Sequence, residues 1–328
     1  MAATFFCDPA DSADLSQAIE QHGATNPFCT AGYVRAMTEL GHEAWMAGLR
    51  HNSEIAGLSP AFVKCGRLSR VLEMPSLCAG ASEPQFWDGL LGFCERLKIS
   101  DLLLDTFNSP PVEIPHLKGE LDRKQREEYT LDLQKLELAA VLSTNHKRNL
   151  KKARGAGVSL LPASDPTACD EHLRLMQAST NRRQDRGETV SMALDPAESS
   201  AFLKHGVGEL YQAVYEKQPV SSVLILRSVK AAYYHSAGTT PEGMGLGASH
   251  FLIHAISEHL KQSGVATFNL GGAEPGSSLA RFKTGFGASV ISLASLRCYL
   301  GPVWKKKLRS AVVLARRQPF FRVLVGRT

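Results

Sequence analysis

Seven cysteines occur in this chain, Cys7, Cys29, Cys65, Cys78, Cys94, Cys169 and Cys298, and no two of them form a Cys-x-x-Cys pair. Their odd number and wide spacing indicate neither a zinc knuckle nor a disulfide framework. No apolar run reaches the length of a membrane span, and the stretch from Met1 to Ala10 lacks the basic start and apolar run of a signal peptide. These absences lead us to expect a reduced, cytoplasmic protein without a transmembrane segment. Residue identities show no internal repeat. Acidic residues are missing from two stretches, Ser143 to Leu161 and Gly301 to Thr328.

The first of these stretches organises the reading. Ser143, Thr144 or Asn145 can cap a helix, and Gly155 or Gly157 can take the left-handed conformation that ends one. At roughly 100° per residue, Lys147, Arg148, Lys151, Lys152 and Arg154 share an arc of roughly 160°, with Leu150 and Ala153 opposite. Five cations on one short face repel one another. Such a face is either solvated or built for an external anion, and the missing acidic neighbours favour the anion. The second stretch holds eight basic residues, among them Lys305, Lys306, Lys307 and Arg309. Setting these eight aside turns the formal charge of +5 into −3, so the basicity is local. With Trp304, Leu308, Phe320 and Phe321 interleaved, residues 301–328 suit an amphipathic tail on a membrane surface, an RNA-facing segment, or a helix packed on its own domain.

At 328 residues, with 44% apolar and 21% charged, the chain is long for one core, and two domains are the natural expectation. Strand-like runs at Thr4–Cys7, Ala44–Arg50, Ile55–Lys64, Arg70–Glu73 and Asp101–Asp105 alternate with helical ones. Tyr129–Leu133 closes this half as a strand. The second half opens on the basic helix. Three β-type runs, Leu210–Tyr215, Ser221–Val229 and Ala231–Ala237, are joined by turns too short for crossover helices, which predicts an antiparallel meander. A glycine-rich turn follows, then a helix from about Ala248 to Gln262, a strand at Thr267–Leu270, a short helix around Ser277–Lys283 and a strand near Val290–Leu300. Asn181–Arg186 is polar and reads as a break.

Meander, glycine turn, helix and strand follow one another as in the GNAT acyltransferase fold. Asn26-Pro27-Phe28, Tyr129–Leu133, Asn145–Val158, Asn269-Leu270-Gly271-Gly272 and Ala280–Gly287 together resemble the FemAB-like branch of that superfamily. The resemblance implies an α+β chain of two tandem GNAT-like domains, each a mixed, mostly antiparallel sheet flanked by helices. We place them at residues 1–140 and 141–300, with the tail at 301–328. It implies an acyl- or aminoacyltransferase, since well-known members move an amino acid from aminoacyl-tRNA to a cell-wall precursor. The donor is then acyl-CoA or aminoacyl-tRNA, with no metal. The acceptor is an amine or hydroxyl of a small molecule or a lipid- or sugar-linked envelope or polysaccharide precursor. A tRNA and the inner face of the membrane are the further partners it suggests. An acyl-CoA-dependent N-acetyltransferase and a catalytically silent module that binds an anionic polymer or scaffolds polysaccharide assembly stand as alternatives.

Several residues are candidates for the chemistry. Gly243, Gly245 and Gly247 precede a helix N-terminus, where backbone N–H groups can receive phosphate, as the resemblance implies for coenzyme A. Glu242 stands where the acetyltransferase pattern has Arg or Gln. Lys147, Arg148 and Lys151 extend this donor side. Lys283, a cation beside a glycine-rich loop, is the electrophilic candidate or else a capping lysine. His235 is the candidate base or a structural histidine. Tyr233, Tyr234 and Arg183 line an acceptor pocket, or the tyrosines pack the core. His250 and His254 are four apart but lack the glutamate and third ligand of a metal site.

Overall fold

In the computed structural model, residues 3–52, 54–67, 69–163, 166–187, 195–302 and 304 are described. The basic tail lies outside them apart from Gly301, Pro302 and Trp304.

Strand β1 (Thr4–Pro9) leads through helices α1 (Ser16–Gly23) and α2 (Ala31–Glu39) to a meander of β2 (Glu43–His51), β3 (Glu54–Cys65) and β4 (Arg70–Met74). Helix α3 (Pro84–Arg96) connects β4 to β5 (Asp101–Leu104), and a proline-rich stretch reaches β6 (Glu120–Asp132). After α4 (Leu138–Val141) and α5 (Thr144–Gly155) come β7 (Ser159–Ala163), α6 (Pro166–Asp185) and α7 (Pro196–Lys204). A second meander follows in β8 (Gly208–Tyr215), β9 (Gln218–Arg227) and β10 (Ala231–Thr239). Helices α8 (Pro241–Leu246) and α9 (Ala248–Gln262), β11 (Thr267–Ala273), α10 (Ser278–Thr284) and β12 (Ser289–Tyr299) complete the order.

All twelve strands join one sheet in the order β1-β2-β3-β4-β5-β12-β6-β11-β10-β9-β8-β7. Each half repeats one scheme: four antiparallel strands, then a helical crossover to a strand that pairs parallel to the fourth. The parallel pairs are β4 with β5 and β10 with β11. The last strand of each half is then exchanged. β12 lies against β5 of the first half, while β6 lies against β11 of the second, and the two exchanged strands pair along their length. Residue identities carried no trace of this repeat, because fold symmetry needs only matching polarity and turn positions.

The helices form where the sequence allows. The side chain of Ser143 caps α5 by accepting from the His146 N–H, and Gly157 leaves it at φ +83°. His146, Leu150 and Ala153, spaced for one face, are its buried positions, while Lys147, Arg148, Lys151, Lys152 and Arg154 are exposed. In α9, Leu252, Ile253, Ile256 and Leu260 are buried against the sheet. Each such side chain contributes about 1.5–3 kcal/mol.

Three local expectations change. The glycine turn is the short helix α8, because Thr240 accepts from the Gly243 N–H and Pro241 occupies its first turn. The polar stretch Asn181–Arg186 does not break α6, which runs to Asp185 as a solvated helix end. β6 begins nine residues before Tyr129, at Glu120, since pairing with β12 holds its charged first half extended. Among the described residues no helix is long and apolar enough to cross a membrane.

Candidate active site

The strand exchange gathers a buried polar cluster on β6, β10 and β11. Glu128 of β6 is 1% exposed. Its Oε1 accepts from Arg126 Nη2 at 2.8 Å and from the Tyr233 hydroxyl at 3.0 Å. Its Oε2 accepts from Asn269 Nδ2 at 2.7 Å and from the Asn108 backbone N–H at 3.0 Å. Arg126 also lies over the Phe107 ring, 4.6 Å from its centroid. A buried carboxylate is tolerated where its oxygens are filled in this way.

Beside this cluster the parallel ladder of β10 and β11 stops. Its last partners are Tyr233 and Asn269, although β10 runs on to Thr239 and β11 to Ala273. Both strands are irregular here, with register shifts between Tyr234 and Ser236 and between Asn269 and Gly272. Gly271 adopts φ +74°, which favours glycine, and the Asn269 side chain accepts from its N–H at 2.8 Å. A Cβ at Gly271 would sit 3.5 Å from the Tyr233 hydroxyl and 3.7 Å from Lys283 Nζ.

Lys283 therefore stands at the end of the ladder. It is 5% exposed, and its Nζ donates to the Gly272 carbonyl at 2.8 Å. Burial pushes its pKa down to about 8, opposed by Glu128 and assisted by Arg126. It is thus no solvated capping lysine. Its helix is keyed to the basic helix. His146 Nε2 donates to the Phe282 carbonyl at 2.8 Å, which leaves Nδ1 to accept from the Ser143 hydroxyl at 2.8 Å. The Ser143 N–H also donates to the Gly285 carbonyl at 2.9 Å. Burial holds His146 below the usual histidine range. His250, in the first turn of α9, packs its ring 4.7 Å from that of His146 and 4.9 Å from Phe282. Burial, then His146, pushes His250 down to about 4.

The remaining candidates fall in different places. Tyr233 and Tyr234 point to opposite faces of the sheet, Tyr233 into the aromatic cluster of Phe28, Tyr33 and Phe202, Tyr234 towards the core under α9. His235 shares a cavity of about 720 Å³ with Tyr233. Burial drives its pKa down to about 4. Arg183 lies exposed in the last turn of α6 and does not line that cavity. Gly243 has no free side, since a Cβ there would meet the Val220 carbonyl at 2.3 Å. Gly247, at φ +76°, presses on the Asn149 carbonyl of α5, and only Gly245 faces open space. Lys147 donates to the Ala140 carbonyl at 3.1 Å and Arg148 to Asn145 Oδ1 at 2.9 Å. Among the described residues no group of three or more His, Cys, Asp or Glu is placed to hold a metal ion. Glu128, Arg126 and Asn108 escaped the sequence reading. The one local signal was the pair Glu127-Glu128 running directly into an apolar strand.

Residues 142–284 match the model of the acetyltransferase (GNAT) domain family. No curated protein sequence matches the chain significantly. Among solved structures, FemX superposes with a TM-score of 0.64 at 13% identity, covering 90% of this chain and 96% of FemX. The C-terminal domain of a putative lysylphosphatidylglycerol synthetase from Agrobacterium fabrum gives 0.55 at 16% identity, covering 91% and 97%. A tandem GNAT protein from the clavulanic acid biosynthesis pathway gives 0.53 at 11% identity, covering 91% and 99%. At such identities the likeness is one of fold. Together with the domain match it gives this chain a GNAT-type fold, with the matched GNAT domain in its second half.

Two expected outcomes follow from the packing. Glu128→Ala strands Arg126 and Tyr233 and should lower stability by about 3–5 kcal/mol, read as a fall in urea midpoint. Gly243→Ala should cost about 1–3 kcal/mol through its clash with β9. Gly245→Ala, in open space, should stay within about 0.5 kcal/mol of the parent. Equal effects at the two glycines would contradict this account of α8.

Proposed function

We propose that this chain is an acyltransferase of the FemAB-like GNAT type and transfers an acyl or aminoacyl group to an amine or hydroxyl of a cell-envelope or polysaccharide precursor. The second half, 141–300, acts as the catalytic GNAT-like unit and 1–140 as its partner unit. The envelope acceptor draws support from structures of the same fold, one of which is named for joining a lysyl group to phosphatidylglycerol. GNAT folds take acyl-CoA, and the exposed cations Lys147, Arg148 and Lys151 suit the phosphates of either that donor or an aminoacyl-tRNA.

One observation carries the reading: a nearly dry lysine at the point where the β10–β11 ladder ends. Acyl transfer builds negative charge on the carbonyl oxygen of the donor. A cation held out of water interacts with that charge more strongly than one in solution. The His146 bond to the Phe282 carbonyl and the Lys283 bond to Gly272 fix the ammonium before any substrate arrives, so little reorganisation remains at the moment of reaction. His235, kept neutral by burial, is available to accept a proton on the opposite face of the sheet.

Lys283→Met keeps the length and removes the charge. Turnover should fall by about 10²-fold, the scale of one lost oxyanion donor. KM should move little. Lys283 carries its charge below pH 8 and loses it above, so kcat of the parent should decline as pH rises through about 8. Full turnover in a folded Lys283→Met protein, monitored by melting temperature, would end the assignment.

A further inference from the structure

The cavity on the Tyr233 face has a composition that the acyl-transfer step by itself does not require. Phe28, Tyr33, Phe62, Phe107 and Tyr233 form its aromatic wall. Phe28 stands 5.0 Å from Tyr233 and 5.2 Å from Tyr33, both edge to face. Three carboxylates from three separate elements line the same space: Glu73 of β4, Asp105 just after β5 and Glu198 of α7. Among the described residues neither the Glu73 nor the Asp105 side chain makes a hydrogen bond or an ion pair. Glu198 approaches His235 Nε2 at 3.9 Å. Because His235 is pushed down to about 4, that contact is a carboxylate facing a neutral imidazole, not an ion pair.

The hydroxyl of Tyr33 points the same way. Tyr33 is 6% exposed and lines the cavity, yet its hydroxyl has no hydrogen-bond partner among the described residues. Burial, then the charges of Glu198, Glu73 and Asp105, hold it protonated, so it can donate into the space and also accept from an occupant. Positive charge nearby is limited. Lys124 is paired with Asp122 at 3.4 Å, Arg126 is paired with Glu128, and Arg297 and Lys64 remain to face Asp105 and Glu73. Burial outweighs these cations and raises all three carboxylates above their usual range, Glu198 to about 6.

We propose that this cavity is the acceptor site and that its ligand is a cationic amine, the ammonium lodged among Glu73, Asp105, Glu198 and the Tyr33 hydroxyl with its alkyl chain along the aromatic wall. The proposal rests on the acyl-transfer reading of the site, and it adds a cationic anchor to the acceptor. An ammonium has no lone pair, so the atom that attacks the acyl carbon is a separate, uncharged amine or hydroxyl of the same molecule. Desolvated carboxylates that lack a full partner gain most from a cation, whereas a neutral hydroxyl would leave their charge uncompensated. Aromatic faces around the carboxylates add cation–π attraction and exclude a bulky hydrated ion. The volume, about 720 Å³, suits an amine carried on a longer chain.

The test is direct binding without any donor, so it stands apart from turnover. Cadaverine and its neutral counterpart 1,5-pentanediol are titrated into the full chain by calorimetry. Cadaverine should bind and the diol should not. Binding should strengthen as pH rises through about 6, where Glu198 ionises. Asp105→Asn and Glu198→Gln, which keep shape and remove charge, should each weaken cadaverine by about tenfold, and Tyr33→Phe by less. Melting temperatures show whether each variant is folded, and the milder Tyr33→Phe tests the site if the others are not. Absence of cadaverine binding to the parent, equal binding of the diol, or unchanged affinity in the folded variants would overturn the proposal. A Lys283→Met protein that binds cadaverine normally but fails in turnover would leave both readings standing, while normal turnover there removes only the first.

Discussion

A carboxylate removed from water keeps its charge only where donors surround it, and Glu128 has four of them from four separate places in the chain. Arg126 lies two residues away on the same strand, Asn108 beyond β5, Tyr233 on β10 and Asn269 on β11. The two halves meet at this one side chain. Tyr233 is oriented by it and so presents its ring to the cavity. Asn269 is held by it, and its other amide atom receives the Gly271 N–H, which shapes the irregular stretch of β11. Lys283 then donates to the next carbonyl along, that of Gly272. The proposed reacting centre is thus an outgrowth of a structural charge network, and second-sphere bonds of this kind decide how far a reactive group can drift.

The same cluster separates two chemical environments. On the α5, α9 and α10 side the groups near Lys283 are histidines held neutral by burial and an exposed row of cations beyond them. On the Tyr233 side the charge is negative and the walls are aromatic. A sheet whose two faces differ in sign at one gap can hold an anionic donor and a cationic acceptor apart until their reacting ends meet. Neither face needs a large movement for this, since the gap follows from where the ladder stops.

Much of the fold could be read from local pattern. The α9 helix was located to the residue because its apolar spacing is regular and its flanks polar, and the second meander because its turns are too short for helices. Lys283 stood out as a cation beside a glycine-rich loop, with Arg281 two positions before it. Glu128 did not, because its significance lies in partners up to 141 positions away that no local window contains. The charged first half of β6 has no alternation to read; its extended shape is imposed by β12. The glycines before α9 suggest a phosphate turn in the sequence, but the packing demand on two of them is not visible there: backbone of β9 presses on Gly243 and backbone of α5 on Gly247. The acidic cavity was illegible for a similar reason, as Glu73, Asp105 and Glu198 sit on elements far apart in sequence.

The exchanged strands bear on the order in which the protein can be assembled. β5 and β6 are made early, but the strand that fills the space between them comes near the end of the described chain; the Thr106 hydroxyl, for one, donates to Ala294, 188 positions on. Closing so long a loop is entropically slow, so the first half must wait with two unpaired strand edges exposed while the second is synthesised. Such edges are templates for pairing with other chains. The run Glu120-Leu121-Asp122-Arg123-Lys124-Gln125-Arg126 on β6 carries a charge at most positions, a composition that discourages such encounters until β12 arrives to pair with it.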